Sequence, residues 1–192
     1  MFALEVGVEV ELVPIADLTD LDPAAYAGNP ALKLPILVRD GSQLFGTLHI
    51  CRALAEMADR PRRVLWPEML VDDRARNAHE MMWHAMAAQV QLVVGNAVGK
   101  LPADNVYFAK GRAGFEGALR WLDAHLPATL ESLPPRDVSI LEIGAFCLLE
   151  HLRFRETVPL DPYPALRDFA RGFATRPSAQ ATPYRFDVPP KP

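Results

Sequence analysis

Between Arg60 and Pro67 stand three arginines and two prolines, a composition that supports neither a continuous helix nor a strand of a sheet. The hydrophobic pattern changes across this break. Before it, apolar residues recur with period two as well as with helical spacing; after it, only helical patterns are convincing. The sequence therefore predicts a small unit with strands over residues 1–60, a linker over 61–70, and an all-helical unit over 71–192. A chain of 192 residues has the length for two such cores.

In the first unit, Val8-Glu9-Val10-Glu11-Leu12-Val13 alternates apolar and acidic residues and predicts a half-buried strand that Pro14 ends. One or two irregular helical turns are expected over Asp20 to Gly28, and Asn29-Pro30 punctuates the chain. Leu34 to Val38 reads as a second strand, Asp40-Gly41 as a tight turn, and Leu44-Phe45 as a short antiparallel return. Thr47 is placed to N-cap a helix that runs to about Arg60. The order is β-α-β-β-α.

In the second unit, helices are expected from about Val71 to Val98, Asn105 to His125, Ser139 to Arg155 and Tyr163 to Arg176, parted by proline-bearing turns at Pro102, Pro127, Pro134-Pro135 and Pro159. The third has a specific start. Ser139 with Glu142 three residues on forms a capping box, flanked by Val138 and Ile143 as a hydrophobic staple. Residues 177–192 contain five of the 18 prolines and predict an extended tail.

Composition excludes several classes of function. A formal charge of -4 and a pI near 5.7 supply no field to hold a polyphosphate chain, so nucleic acid is not an expected partner. Mean hydropathy of +0.03 is too low for a polytopic membrane protein. The longest weakly polar stretch, Met81 to Gly99, is interrupted by His84, Gln89, Gln91 and Asn96 and suits a long helix buried in protein. Two cysteines, Cys51 and Cys147, make no disulfide framework, and no secretory signal pattern opens the chain; a cytoplasmic protein is expected.

Taken in order, the β-α-β-β-α unit, Asn29-Pro30-Ala31-Leu32-Lys33-Leu34-Pro35-Ile36-Leu37, Asp40-Gly41-Ser42-Gln43-Leu44-Phe45-Gly46-Thr47-Leu48-His49-Ile50, the linker and the capped Ser139 segment resemble the soluble, bacterial-type glutathione transferases. Tyr163-Pro164-Ala165-Leu166 and Ala174-Thr175-Arg176-Pro177-Ser178 resemble that family's terminal helix and exit. The resemblance covers nearly the whole chain. It implies an α/β thioredoxin-like N-terminal domain followed by an all-α helical bundle, a homodimer, and glutathione as co-substrate without a metal.

The resemblance also implies a site. Its glutathione-binding residues would be Lys33, Leu34, Pro35, Gly46 and Thr47. The bond before Pro35 would be cis, with the Leu34 backbone N–H and C=O pairing with the cysteinyl backbone of the peptide. Lys33 would reach the glycine carboxylate. Thr47 and the free amides of its helix would receive the γ-glutamyl carboxylate. Where the family usually has an acid for the γ-glutamyl ammonium, this chain has Gly46, so one charge-assisted contact is missing.

The start departs further, because Met1 to Gly7 resembles the last turns of the family's first helix. The first strand and the residue that stabilises the thiolate are absent, so the catalytic residue is unknown. A sheet without that interior strand would leave backbone groups unpaired, which leads to the expectation that the native start lies upstream of Met1.

Other residues fit either chemistry or packing. Met81, Met82, Trp83 and Met86 lie on a long apolar helix, and the resemblance makes Met82 and Met86 candidates for the electrophile pocket, with core packing the competing role. Cys51 shares a helix face with Thr47 and reads as a buried, inert thiol. His79 and His84 fall on different faces and form no metal site; Glu80 and His84 read as a surface pair. Arg74 and Arg76 read as a solvated face or cross-subunit ion pairs. Gly95 to Lys100 has the wrong spacing for a phosphate loop. Three functions follow from the resemblance: conjugation of glutathione to small hydrophobic electrophiles, a non-catalytic protein of the same fold used for ligand storage, binding or interaction, or glutathione-dependent isomerisation or dehalogenation at the same site.

Overall fold

The computed structural model describes residues 1–15, 17–102 and 104–186. They divide into two compact units, Met1–Arg62 with Arg185 and Phe186, and Arg63–Tyr184.

The first unit opens with helix α1 (Phe2–Val6), whose Phe2, Ala3 and Val6 are buried and which packs on α2. Gly7 ends it at φ 76°, a left-handed conformation open to glycine at little steric cost. The Val8 N–H then bonds back to Ala3 O at 2.9 Å, closing a Schellman turn. The following segment corrects the expectation of a strand. Residues 8–15 have no regular structure, and Leu12 and Val13 are 80% and 79% exposed. The physical reason is partnership: among the described residues β1 (Ile36–Arg39) and β2 (Ser42–Phe45) pair only with each other, and period-two alternation makes a strand only where an edge is available to complete the ladder.

The segment from 17 to 28 is pinned locally. Asp22 caps a 3-10 turn, Pro23–Tyr26, and the buried Tyr26 donates its hydroxyl to Leu18 O at 2.9 Å. The β1–β2 hairpin turns through Asp40 (φ 50°) and Gly41 (φ 75°), two positive φ values that match the strand twist. Its register pairs Ile36 with Phe45 and Arg39 with Ser42. Helix α2 (Thr47–Met57) follows directly and buries Ile50, Cys51, Ala53 and Leu54 on one face.

The second unit contains strand β3 (Val64–Leu65) within the stretch that reads as linker. β3 pairs in parallel with β4 (Val138–Ser139), and a side chain fixes the junction: the Asp137 carboxylate accepts from the Arg63 amide at 2.9 Å and from its guanidinium at 3.0 Å. A two-residue bridge carries no periodicity, so local pattern does not reveal it.

Helix α3 (Asp73–Leu92), capped by Asp72, passes into one π-helical stretch, Val93–Val98. There Gly95 is a packing requirement, since a Cβ on it would fall 2.3 Å from Phe108 Cε1. Helix α4 (Val106–Ser132), capped by Asn105, runs straight through Pro127, where the sequence predicts a turn. Phe115, Leu119, Leu122 and Leu126 are almost wholly buried along it, and this packing outweighs the one backbone bond that proline removes.

Helix α5 (Ile140–Arg155) starts at Ser139, whose Oγ accepts from the Glu142 amide at 3.4 Å. The reciprocal half of the expected capping box is redirected: the Glu142 carboxylate takes a bidentate bond from Arg136 at 2.6 and 2.9 Å. Helix α6 (Pro164–Phe173) lacks a side-chain cap of its own, and Asp123 of α4 supplies one by accepting from the Leu166 amide at 3.0 Å. Helix α7 (Pro177–Ala181) replaces the first part of the expected extended tail; residues 187–192 lie outside the described residues. No helix among the described residues is long and apolar enough to cross a membrane.

Candidate functional site

The site is assembled at one end of the β1–β2 hairpin. Continuing its register beyond Ile36 and Phe45 carries Pro35 and Leu34 to the same end as Gly46 and Thr47. The sequence-predicted residues from both sides of the hairpin are thus brought together by the ladder itself.

On the β1 side the approach is shaped by Asn29, which is 4% exposed. Its Oδ1 accepts from the Ala31 amide at 3.0 Å and its Nδ2 donates to Lys33 O at 2.8 Å. With the backbone bond from Leu32 N–H to Asn29 O at 3.1 Å, these contacts wind the chain through Leu32 at φ 52°. An amide side chain suits this place because it offers a donor and an acceptor at once. Sequence reading treats Asn29 only as half of a turn dipeptide; the signal it offers is an asparagine just ahead of a left-handed turn, a setting in which its side chain commonly bonds nearby backbone.

Beyond the turn the Leu34–Pro35 bond is cis. Leu34 is 49% exposed, and its backbone N–H and C=O have no hydrogen-bond partner among the described residues. That leaves one donor and one acceptor available side by side, the pattern of an open strand edge. Lys33 is exposed and no ion pair holds it among the described residues.

On the β2 side the structure shifts the cap by one residue. Gly46, not Thr47, is the N-cap of α2, at φ 87° and ψ 131°, a conformation that favours glycine. Thr47 is the first helical residue, exposed and without a side-chain hydrogen bond among the described residues. The first backbone bond of the helix is Ile50 N–H to Gly46 O at 3.0 Å, so the amides ahead of Ile50 have no helical acceptor and carry the positive end of the helix dipole. Because Thr47 does not cap its own helix, its hydroxyl is free to bond a group seated over these amides. Together the elements can pair with an extended peptide backbone at Leu34, hold a carboxylate at the start of α2, and hold a second at Lys33.

Several of the other candidates lie in the interior. Cys51 is buried on α2. Met82 is completely buried, and a Cβ on Gly144 of α5 would fall 2.7 Å from its sulfur. Its side chain fills the α3–α5 core and presents no surface to an electrophile; Met86 is half-buried. His79 is also interior. Its Nε2 accepts from Trp83 Nε1 at 2.9 Å, and burial lowers its pKa, so the neutral ring is the favoured form. His84 lies 4.0 Å from Glu80 on the exposed face, the pairing read from their spacing. Among the described residues no group of three or more His, Cys, Asp and Glu side chains could hold a metal ion.

No protein-family profile matches the chain, and no curated protein sequence matches it. Solved structures do. A glutathione S-transferase from Methylobacterium radiotolerans, in complex with glutathione sulfonate, superposes with a TM-score of 0.68 at 20% identity over 100% of this chain and 93% of the other. A glutathione transferase family member from Pseudomonas fluorescens Pf-5 with bound glutathione gives 0.71 at 22% identity, covering 96% and 93%. Glutathione S-transferase 1-6 from Anopheles dirus species B gives 0.62 at 18% identity, covering 94% and 84%. The chain has the glutathione transferase fold, a thioredoxin-like N-terminal unit followed by a helical one.

Proposed function

We propose that this protein binds glutathione at the hairpin end and joins its sulfur to small hydrophobic electrophiles. The observation that supports this most directly is the pairing of Leu34's two unpartnered backbone groups with the open amides of α2 at the same end of one hairpin. A tripeptide with a free carboxylate at each end offers a partner to each of these groups: backbone to Leu34, γ-glutamyl carboxylate to Thr47 and the α2 amides, glycine carboxylate to Lys33. Solved structures of the same fold contain glutathione or its sulfonate. In the reaction the thiol gives up its proton to solvent, and the thiolate sulfur bonds to the electrophilic carbon as that carbon's leaving group departs with the bonding electrons. Met86 is retained as a candidate wall for the electrophile. We also propose a homodimer acting in the cytoplasm, the dimer to be checked by light scattering.

A second reading, a non-catalytic protein that binds glutathione or another partner, is favoured by one observation: Gly46 offers no carboxylate to a ligand ammonium. Calorimetric titration with reduced glutathione tests the site and an assay with 1-chloro-2,4-dinitrobenzene tests the chemistry. Saturable binding is expected. Thr47→Ala should weaken it by about 1.5–3 kcal/mol, the worth of a hydrogen bond to a charged group, or roughly 10- to 150-fold in Kd. Binding untouched by Thr47→Ala would remove Thr47 from the site, and binding without turnover would select the non-catalytic reading.

A further inference from the structure

Helix α2 starts from Gly46 as N-cap, with Thr47, Leu48 and His49 as its first three residues, and its first turn carries no acidic side chain. A side chain at the third helical position can reach back toward the N-cap, as the glutamate of a capping box does. Here that residue is a histidine, and its ring does lean back. A Cβ built on Gly46 would fall 3.9 Å from His49 Nδ1 and within 4 Å of no other atom outside its immediate chain neighbours. The space above Gly46 is therefore open and bordered by the imidazole.

Nothing in the fold calls for a histidine at this place. His49 is exposed, and its ring makes no hydrogen bond or ion pair among the described residues. Histidine is not a strong helix former, and a protonated ring is disfavoured beside the positive end of a helix. What the ring does supply, in its neutral form, is one nitrogen lone pair beside the open amides of α2.

The chemistry of the ligand gives that lone pair a partner, on the reading that this end of the hairpin holds glutathione. The γ-glutamyl end is an α-amino acid, with ammonium and carboxylate on one carbon, so a carboxylate seated on Thr47 and the α2 amides brings the ammonium to the same turn. Backbone amides only donate and cannot serve it, and the Thr47 hydroxyl is engaged by the carboxylate. We propose that His49 is the residue that selects the α-amino group, a ring nitrogen accepting a hydrogen bond from the γ-glutamyl ammonium across the space that Gly46 leaves open. A bond from a charged donor is of the stronger kind, and it separates an α-amino acid head from a plain carboxylate.

Calorimetry of the full chain with reduced glutathione and with glutaryl-cysteinylglycine, which has hydrogen in place of the α-ammonium, tests this. The wild type is expected to prefer glutathione by roughly tenfold or more, the worth of a hydrogen bond to a charged group. His49→Ala should cut that preference to about twofold or less by weakening glutathione alone. Its unchanged affinity for the analogue would show that the variant keeps its fold. His49→Gln, whose amide oxygen can accept, should restore part of the preference. A preference that persists in His49→Ala overturns the proposal, and so does equal weakening of both ligands, which would set His49 against the carboxylate. A wild type that binds the two equally overturns it and leaves the glutathione site standing; a wild type that binds neither overturns both.

Discussion

Asn29 shows how much of the site depends on one buried amide. Its side chain satisfies the Ala31 amide and the Lys33 carbonyl together, and nothing else among the described residues bonds either atom. Alanine at this position leaves a donor and an acceptor without partners at the turn that delivers Lys33 and Leu34. The expected loss is about 1–3 kcal/mol, visible as a lower denaturant midpoint at unchanged slope, accompanied by weaker glutathione binding. Aspartate at 29 should recover only the acceptor half, the bond from Ala31. An Asn29→Ala protein as stable as the wild type would show that water replaces the side chain at both ends.

At the scale of elements, the helical unit is held by caps that cross between helices. Asp123 lies inside α4 but serves the start of α6 through the Leu166 amide, and Pro164 at the first helical position of α6 has no amide to satisfy. Removing the carboxylate in Asp123→Ala should cost about 0.5–2 kcal/mol, the range for loss of an N-cap. Thermal unfolding of Asp123→Asn separates two origins of that loss. A small effect assigns it to the hydrogen bond, which an amide oxygen can still accept; a loss equal to that of alanine assigns it to the charge at the helix start. The same exchange of local for tertiary partners governs α5, where Glu142 leaves the Ser139 amide for Arg136.

For the whole molecule, the buried His79 and the half-buried His151 make stability respond to acid. Burial lowers the pKa of His79 below its ordinary 6.5, and burial aided by the Arg155 charge lowers that of His151. As pH falls below 6.5 the unfolded chain takes up these protons before the folded chain does, so stability rises with pH in this window. The contribution is complete above about 6.5 and is lost progressively as pH drops from there through the folded pKa values. The melting temperature is therefore expected to fall between pH 7.5 and pH 5, and more gently in His79→Gln; an identical slope in that variant would show that His79 protonates freely in the native state. Tyr184 stacks on His151 with centroids 5.2 Å apart and its hydroxyl is pushed up to about 12, chiefly by burial, so it stays protonated throughout that range.

What the sequence determined by itself is everything carried by local pattern: the Asp40-Gly41 turn whose positive φ values suit it, the Ser139 start, and the series of amphipathic helices. These follow from side-chain periodicity and backbone preference within a few residues of each position. Only tertiary structure decided the rest. Residues 8–13 alternate as a strand should, yet pair with no strand among the described residues; Val64–Leu65 has no pattern, yet gains a partner 74 residues away through Val138 and Ser139. Pro127 reads as a stop, yet the packed face of α4 carries the helix past it, and Met82 reads as a pocket residue until Gly144 opens room for it in the core. The candidate site divides the same way. Leu34, Pro35, Gly46 and Thr47 are legible as motifs, but their convergence rests on hairpin register and on Asn29, because strand pairing and buried polar satisfaction are properties of partners that a linear pattern does not contain.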